Sequence, residues 1–245
     1  MNELSKYPRL RSYVSKLRSI PSGKYRWEAS PAEKKSGSPI SISSFRMGAT
    51  PVTWGIWKEY CKAESVRMPE KPSWGYLDNH PVVNLSWEDI MNPGGFSEWA
   101  SGVAGFKLTV PTDAQWEYAA RGGKDGLEYS WGNDFDTSKL WCSKELGDAG
   151  KTAAVDRKYR IYRNGYGLTD MVGNVYQWCS DYWSIDYRPS GKDPVGTKKS
   201  EYRCVRGYAW GYSDPYGFRC AYRSGNSPDN RNNNLFGFRL SAGQK

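Results

Sequence analysis

The sequence has little of what a metal or redox site requires. It contains one histidine, His80, and its five cysteines include no CxxC pair. An odd number of scattered cysteines predicts neither a disulfide framework nor a zinc site. We therefore expect all five to be small buried hydrophobic residues: Cys61, Cys142, Cys179, Cys204 and Cys220.

Long apolar segments are also absent from the sequence. No run approaches the roughly 20 apolar residues that span a bilayer, and the first residues lack the continuous apolar segment of a signal peptide. We expect synthesis in the cytosol. The final location stays open between a virion, a cell surface reached through a partner, and the cytoplasm itself.

Excess positive charge is scarce in most of the chain, although the net charge is +9. Residues 1–35 hold nine Lys or Arg and three Glu, which leaves only +3 for the other 210 residues. The main body is therefore not predicted to bind nucleic acid. Residues 1–19 are predicted to form a basic helix, because apolar residues recur there at helical spacing: Leu10, Tyr13, Val14 and Leu17.

Two interpretations of this basic arm stay open. Its helix either lies on its own domain or on an oligomer partner, or it docks on an acidic partner or a membrane surface. A related hypothesis is that residues 1–35 bind a nucleic acid or another anionic surface, which predicts a steep salt dependence.

Aromatic residues are what the sequence has in abundance. They make up 15% of the chain, with 12 Trp and 18 Tyr, whereas the hydrophobic fraction is only 38%. A core of few, large, rigid side chains fits a loop-rich fold better than an aliphatic parallel sheet. The helices are predicted early in the chain and many short strands late, which indicates a single α+β domain.

Local signals place the early elements. Residues 21–45 are predicted to form a hairpin. Thr53 is predicted to cap a helix, and a further helix is predicted to start at Ser86 and to be interrupted by Asn92–Gly95. In VPTDAQWEYAARGG, Thr112 and Gln115 predict a capping box, and Gly122 follows the end of that helix.

Several of these segments occur in a familiar order between about Ile20 and Leu240: GATPVTWGIWKEYC, HPVVNLSWEDI, LTVPTDAQWEYAARGG, NGYGLTDMVGNVYQWCSDYW, RCAYRS and GFRL. Together they resemble the formylglycine-generating-enzyme-like, or sulfatase-modifying factor, family. The resemblance implies a variant of the C-type lectin fold over residues 20–245. It also implies buried Trp residues, and Arg residues that hydrogen-bond to loop backbones.

The resemblance also reveals missing catalytic residues. Family members that oxidise a sulfatase cysteine use a copper-binding cysteine pair in the loop before RCAxR, and loop 211–217 has no cysteine. Neither Tyr nor Gly replaces a soft thiolate ligand. The iron-dependent sulfoxide synthases of the family need several histidines. We therefore predict no catalytic residue and no cofactor.

Calcium stays an alternative ligand. The resemblance implies calcium sites near the loop that precedes NGYGL and at the family motif GNxWEW, where Gly173, Asn174 and backbone carbonyls would coordinate the ion. The usual Glu of that site is Gln177 here, which removes a charged oxygen ligand.

Residues 207–240 alternate fixed family motifs with arbitrary-looking positions, and this segment resembles the variable proteins of diversity-generating retroelements. In these proteins a reverse transcriptase miscopies template adenines, so Asn codons become codons for Tyr, Ser, Gly, Asp, Phe or Leu, among others. Eleven positions fall within that set and are predicted to be variable ligand-binding residues: Tyr208, Gly211, Tyr212, Ser213, Tyr216, Gly217, Ser224, Gly225, Ser227, Leu235 and Phe236.

The sequence thus predicts a non-catalytic, receptor-like or adhesin-like protein that binds a protein or cell-surface ligand. Four of the eleven residues are expected to be the aromatic anchors of the binding surface: Tyr208, Tyr212, Tyr216 and Phe236. Leu235 and Phe236 are both expected to be exposed. A homo-oligomer would gain avidity. The alternative is an enzyme of the family with an atypical site that lacks the catalytic cysteines.

Overall fold

The computed structural model describes residues 3–28, 39–143, 150–231 and 233–243. Its helices lie in the first half of the chain, as the sequence predicts. They are α1 (Pro8–Ser15), α2 (Trp54–Glu64), α3 (Trp87–Met91), α4 (Phe96–Ala104) and α5 (Asp113–Ala120). Within the described ranges, no helix has the length and apolar character needed to cross a membrane.

The strands are short and form three small sheets. They are β1 (Arg18–Ile20), β2 (Gly23–Arg26), β3 (Pro39–Ile42), β4 (Phe45–Met47), β5 (Tyr176–Tyr182), β6 (Gly191–Lys192), β7 (Arg203–Arg206), β8 (Arg223–Asn226), β9 (Phe236–Gly237) and β10 (Ser241–Gly243). The sheet orders are β1-β4-β10, β2-β3-β6 and β8-β7-β5-β9. In the last sheet β9 runs parallel to β5, so the end of the chain lies beside its middle.

The predicted hairpin over residues 21–45 is present as the antiparallel pair β2 and β3, in which Tyr25 lies opposite Ile40. Part of its connecting loop, residues 29–38, lies outside the described residues. Strands β1 and β4 flank this hairpin and pair with each other, also antiparallel.

The helix starts follow the predicted caps at two places and differ at a third. Ser86 forms a capping box with Asp89, and Thr112 forms one with Gln115. Thr53 precedes α2, but its side chain makes no capping hydrogen bond. Its backbone instead bridges to Pro81, so tertiary pairing fixes the start of α2.

Helix α1 of the basic arm packs on the rest of the chain. Leu10 is fully buried and Tyr13 is 8% exposed. The Glu59 carboxylate of α2 accepts the backbone N–H groups of Arg9 and Leu10 at 2.9 and 3.0 Å, and so caps the start of α1. The backbone N–H of Leu240 donates to the Tyr13 hydroxyl at 3.1 Å. The division of the chain after residue 19 stays a prediction.

Large aromatic residues fill the core, as the composition predicts. Trp57 stacks on Phe96 with centroids 5.1 Å apart, and Phe238 meets Phe96 edge-on at 5.2 Å. A second buried cluster contains Trp27 and Trp116. These clusters hold α2, α4, α5 and the sheets together as one domain.

Candidate functional site

The candidate site begins where β7 ends. A Cβ atom at Gly207 would lie 2.5 Å from the carbonyl oxygen of Met171, and the residue has a φ of +92°, so only glycine fits. Tyr208 follows with a φ of +58°, which is uncommon for a tyrosine. Two successive residues in this conformation turn the chain out of the strand and start the loop.

Four tyrosines form a contiguous aromatic surface, which we call the tyrosine surface: Tyr208, Tyr212, Tyr216 and Tyr222. The rings of Tyr208 and Tyr212 stack with centroids 4.3 Å apart. The Tyr222 ring meets Tyr208 edge-on at 5.4 Å and Tyr216 at 5.9 Å. Tyr176 of β5 contacts Tyr208 and Tyr212 at 5.5 and 6.0 Å. These are favourable geometries for aromatic pairs, so the rings support one another.

A short 3-10 helix, Pro215–Phe218, carries Tyr216 at the edge of the tyrosine surface. Asp214 caps this helix by accepting the backbone N–H of Tyr216 at 3.0 Å. Tyr212 and Tyr216 are 36% and 41% exposed. The Arg219 guanidinium lies 5.4 Å from the Tyr216 ring centroid. The exposed rings are therefore flanked by one cation and one carboxylate.

The central phenols of this region stay neutral at physiological pH. Burial raises the pKa of Tyr208 to about 12, and the neighbouring Tyr222 and Tyr212 act in the same direction. Burial also raises the pKa of Tyr176, and Tyr222 adds to that effect. A neutral phenol donates and accepts hydrogen bonds but is not a phenolate nucleophile, so these groups suit recognition.

The loop rests on buried charges. Arg206 is fully buried and pairs with Asp113 through Nε and with Glu117 through Nη2, the latter at 3.0 Å. Its Nη1 donates to the carbonyl oxygens of Cys220 and Tyr222 at 2.9 and 3.2 Å. One side chain thus ties helix α5 to both ends of the loop. Such a pair is stable only when its remaining donors also find acceptors, as they do here.

A second arginine shares the same carboxylate. Arg223 of β8 donates to Asp113 at 3.0 and 2.6 Å, and to the carbonyl oxygen of Ser184 at 2.6 Å. Burial alone would raise the pKa of Asp113, but the charges of Arg206 and Arg223 outweigh burial and lower it. We call these two arginines, Asp113 and Glu117 the arginine base.

The structure brings five of the predicted ligand-binding residues together around one loop. Gly211, Tyr212 and Tyr216 are exposed, whereas Ser213 and Tyr208 are partly buried. The backbone N–H of Ser143 donates to the carbonyl oxygen of Tyr212 at 2.9 Å and anchors the loop on one side.

Three further predicted residues lie at partly buried positions away from this loop. Ser224 lies in β8 opposite Val205. The Ser227 hydroxyl donates to Asp229. Leu235 packs against the aromatic core and faces Gly211, where an added Cβ would lie 3.0 Å from its Cδ2.

The sequence predicts Phe236 as an exposed anchor, and this is wrong. Phe236 is only 7% exposed. Because β9 pairs with β5, the Phe236 ring stacks on Tyr176 at 5.1 Å and on Trp178 at 5.4 Å. Phe236 is therefore a core residue that supports the tyrosine surface from below.

Two predicted glycines are packing positions instead of exposed ones. Gly217 is buried, and a Cβ there would lie 2.4 Å from the Tyr208 ring. A Cβ at Gly225 would lie 2.7 Å from the Trp183 indole. A side chain at either position requires a neighbouring ring to move, which costs stability.

The five cysteines are buried, as predicted, and none forms a disulfide within the described residues. Burial raises the pKa of Cys220 to about 11 and that of Cys61 to about 11. The thiolate is the reactive form of cysteine, so these thiols are poor nucleophiles. His80 lies with its Nδ1 3.0 Å from the Thr152 hydroxyl. Over the described ranges, no cluster of His, Cys, Asp and Glu is suited to a metal ion.

The residues of the alternative calcium site do not fit that ion. The Asn174 Oδ1 accepts the backbone N–H of Ala153 at 2.9 Å. The Gln177 Oε1 accepts the indole N–H of Trp116 at 2.9 Å and the Nε–H of Arg239 at 2.6 Å. Calcium needs several free oxygen ligands, whereas these oxygens already bind N–H donors and one of them contacts a guanidinium.

Sequence reasoning missed Tyr176, which supports the tyrosine surface from the neighbouring strand. The strand period places Tyr176 and Trp178 on the same face of β5, because they are alternate residues. Both stack on Phe236. The sequence carries no sign that this strand lies under the loop.

Comparison with known proteins agrees with this architecture. The family described as "Sulfatase-modifying factor enzyme 1-like domain" matches residues 5–242. The formylglycine-generating enzyme of Mus musculus is 36% identical over 209 residues, which cover 76% of this chain and 51% of the mouse protein. The chain thus spans about half the length of this curated relative.

Two solved structures show the same fold. Treponema denticola variable protein 1 has a TM-score of 0.76 at 22% identity, covering 93% of this chain and 95% of that chain. PvdO from Pseudomonas aeruginosa has a TM-score of 0.77 at 23% identity, covering 93% and 94%. The α+β, C-type lectin-like fold predicted from the sequence is confirmed.

Proposed function

The chain belongs to the sulfatase-modifying factor enzyme 1-like family, and within this family we propose that it is a non-catalytic ligand-binding protein. One observation carries the proposal. Loop 211–217 corresponds to the loop in which the cysteine-oxidising members hold their copper-binding cysteines, and here it presents Tyr212 and Tyr216 to solvent. Every cysteine of this chain lies elsewhere and is buried.

The tyrosine surface has the chemistry of a recognition surface. Tyrosine offers a large, rigid contact area at low entropic cost, and its hydroxyl adds a hydrogen bond. Aromatic residues at the centre of an interface commonly dominate its binding energy. We propose that the ligand is a protein or cell-surface molecule that covers Tyr212 and Tyr216.

Variation of this surface is the second part of the proposal. The likeness in fold to a variable protein supports it, as does the exposure of Gly211, Tyr212 and Tyr216. Substitutions at exposed loop positions change stability by only about half a kcal/mol, so the loop tolerates many side chains. We propose that Gly211, Tyr212, Ser213 and Tyr216 are variable positions of this kind.

The DNA that flanks the gene tests this proposal. We expect a near-identical copy of the segment for residues 207–240, differing only at adenines, beside a reverse-transcriptase gene. Asn codons should stand in that copy at positions 211, 212, 213 and 216. A flank without such a copy contradicts the diversification.

A turnover assay tests the absence of catalysis. The identity to the mouse formylglycine-generating enzyme keeps an enzymatic function as the second candidate. The purified protein is given copper, oxygen and a cysteine peptide, with the mouse enzyme as the positive control. We expect no oxidation of the peptide. Turnover above the metal-only background would overturn the non-catalytic assignment.

A further inference from the structure

A cavity of about 570 Å³ lies between helix α1, residues 49–56 and the loop 155–163. It shares no lining residue with the tyrosine surface, and the proposed function does not use it. Six of its lining side chains carry the inference: Arg9, Ser12, Lys16, Arg18, Asp156 and Arg163.

The charges around this cavity are unbalanced. Arg9 is paired with Asp78 at 2.6 Å. Among the described residues that line the cavity, Asp156 is the only carboxylate, and it accepts an N–H of Asn79 at 2.9 Å. Three cations remain without an ion pair to any residue of the described ranges: Lys16, Arg18 and Arg163. A cavity wall with several uncompensated cations attracts anions.

Arg18 also has an unsatisfied buried donor. Its Nε is buried and makes no hydrogen bond to any residue of the described ranges, unlike the Nε of the buried Arg206 and Arg239. A buried donor without an acceptor is unfavourable, and an acceptor oxygen of a ligand would satisfy it. Gly167, with a φ of +76°, lies against this guanidinium, and a Cβ there would come within 3.3 Å of Nε. The guanidinium is thus held at the cavity by close backbone packing.

Two of the elements that carry or adjoin these cations, helix α1 and strand β1, are firmly fixed. Helix α1 is capped by Glu59 and anchored through Tyr13, whose hydroxyl binds the Leu240 backbone and donates to the carbonyl oxygen of Thr50 at 3.2 Å. Arg18 begins β1, which pairs with β4. Such a wall needs little ordering when a ligand binds, which favours affinity.

We propose that this cavity binds a phosphoryl-bearing ligand. One arginine commonly suffices for a carboxylate, whereas a phosphoryl dianion is matched by several cations, with guanidinium forks on its oxygens. Arg18 and Arg163 supply the guanidinium groups, Lys16 supplies an ammonium, and Ser12 adds a hydroxyl donor. The volume is that of a small-molecule site, on the order of 300–1,000 Å³, so the ligand is larger than one phosphate group.

Calorimetric titration with inorganic pyrophosphate tests the site on the full chain. We expect wild type to bind and Arg163→Gln to bind roughly tenfold or more weakly, since a charge-assisted contact is lost. Arg18→Gln should have a similar effect. Arg11→Gln is the matched control, because Arg11 lies on the same helix, is exposed and does not line the cavity. Circular dichroism checks that each variant is folded.

Two results overturn the proposal. Wild type whose titration with pyrophosphate shows no heat change of either sign at two temperatures has no such site. An equal loss in Arg11→Gln and Arg163→Gln means that only the net charge of the arm attracts the anion. If Arg18→Gln does not fold, the exposed Arg163 still decides the outcome.

Vesicle binding distinguishes the source of the phosphoryl group. Phosphatidylcholine vesicles with and without phosphatidylglycerol are offered to wild type and Arg163→Gln. Retention that needs phosphatidylglycerol and Arg163 supports the site with a lipid headgroup as ligand. Pyrophosphate binding without vesicle retention supports the site with a soluble ligand.

Discussion

The arginine base and the tyrosine surface lie next to each other and are stabilised in opposite ways. In the base, Arg206 and Arg223 are held by charged and polar partners at fixed distances, and both are almost fully buried. In the surface, Tyr212 and Tyr216 contact other rings, and more than a third of each stays exposed. The arginine base therefore depends on hydrogen bonds and ion pairs between particular atoms. The tyrosine surface depends on ring contacts that tolerate some displacement.

This contrast explains how one segment combines fixed and arbitrary-looking residues. The fixed arginines bind backbone carbonyls as well as carboxylates. Arg239, for example, donates to the carbonyl oxygens of Gly48, Thr169 and Asp170. Burial lowers its pKa to about 10, and the charges of Tyr13 and Asp170 act in the opposite direction. Arg206 thus holds the backbone where the loop ends, and within the loop the Asp214 side chain caps the short 3-10 helix.

Breaking the base should have the largest effect. Arg206→Leu removes the buried cation that pairs with Asp113 and Glu117. Losing one member of such a network lowers the free energy of unfolding by about 3–5 kcal/mol. We expect chemical denaturation to show a loss of this size or no folded protein. Arg219→Leu is the control, because its pair with Glu128 is partly exposed and is worth about 1 kcal/mol or less. Similar losses in both variants would contradict the comparison.

Removing the support beneath the tyrosine surface should have the second largest effect. Phe236→Asn removes a buried aromatic ring, which costs about 3–5 kcal/mol when the ring is replaced by a small side chain. Leu235→Asn, one residue earlier and only partly buried, should cost clearly less. Unfolding free energies of the two variants check this. Equal values would mean that Phe236 is a loop residue, as the sequence predicts.

The capping boxes and Phe236 show where prediction from the sequence succeeded and where it failed. The capping boxes at Ser86 and Thr112 were predictable, because both partners lie within one helical turn. The burial of Phe236 depends on its parallel pairing with Tyr176, which lies 60 positions earlier, and no local pattern encodes that contact. The codon argument selects residue types that a mutated Asn codon can encode, and it gives no information about burial.

A buried carboxylate beside the base should give a pH signature. Burial raises the pKa of Asp181 from 3.8 to about 6, and the charge of Asp113 adds to this shift. The raised pKa means that protonated Asp181 stabilises the fold. This contribution is complete below about pH 3.8 and is lost as the pH rises through about 6.

We therefore expect the stability of wild type relative to Asp181→Asn to fall by roughly 3 kcal/mol as the pH rises through this window. Urea denaturation at a series of pH values measures the difference. Asp186→Asn on the surface controls for the loss of one carboxylate. A difference that does not change with pH would show that Asp181 is not protonated in the fold.

A smaller effect should come from the contact between Gly217 and Tyr208. Gly217→Ala places a methyl group on the Tyr208 ring, and such overpacking costs about 1–3 kcal/mol. Tyr208→Ser in the same chain should remove most of that cost. A double-mutant cycle by chemical denaturation measures the coupling. Additive effects would mean that the two positions vary independently.

Gly217 and Gly225 also mark a limit of the sequence. Each is compatible with a mutated Asn codon, but each also lies under an aromatic ring that another part of the chain supplies. The ring over Gly225 belongs to Trp183, 42 positions away. The sequence alone does not show whether a glycine is present because of a mutated codon or because an aromatic ring packs against it. Only the three-dimensional contacts distinguish the two reasons.

The tyrosine surface itself should show the smallest effects on stability, and their order tests how it is built. Tyr216→Ser removes an edge contact at 5.9 Å from an exposed ring, so the loss should stay within about half a kcal/mol. Tyr212→Ser removes the stack on Tyr208 at 4.3 Å and should cost about 0.5–1.5 kcal/mol. Chemical denaturation of both variants measures this order. If Tyr216→Ser costs more than Tyr212→Ser, the exposed edge of the loop is a structural element, and the loop cannot vary as freely as its exposure implies.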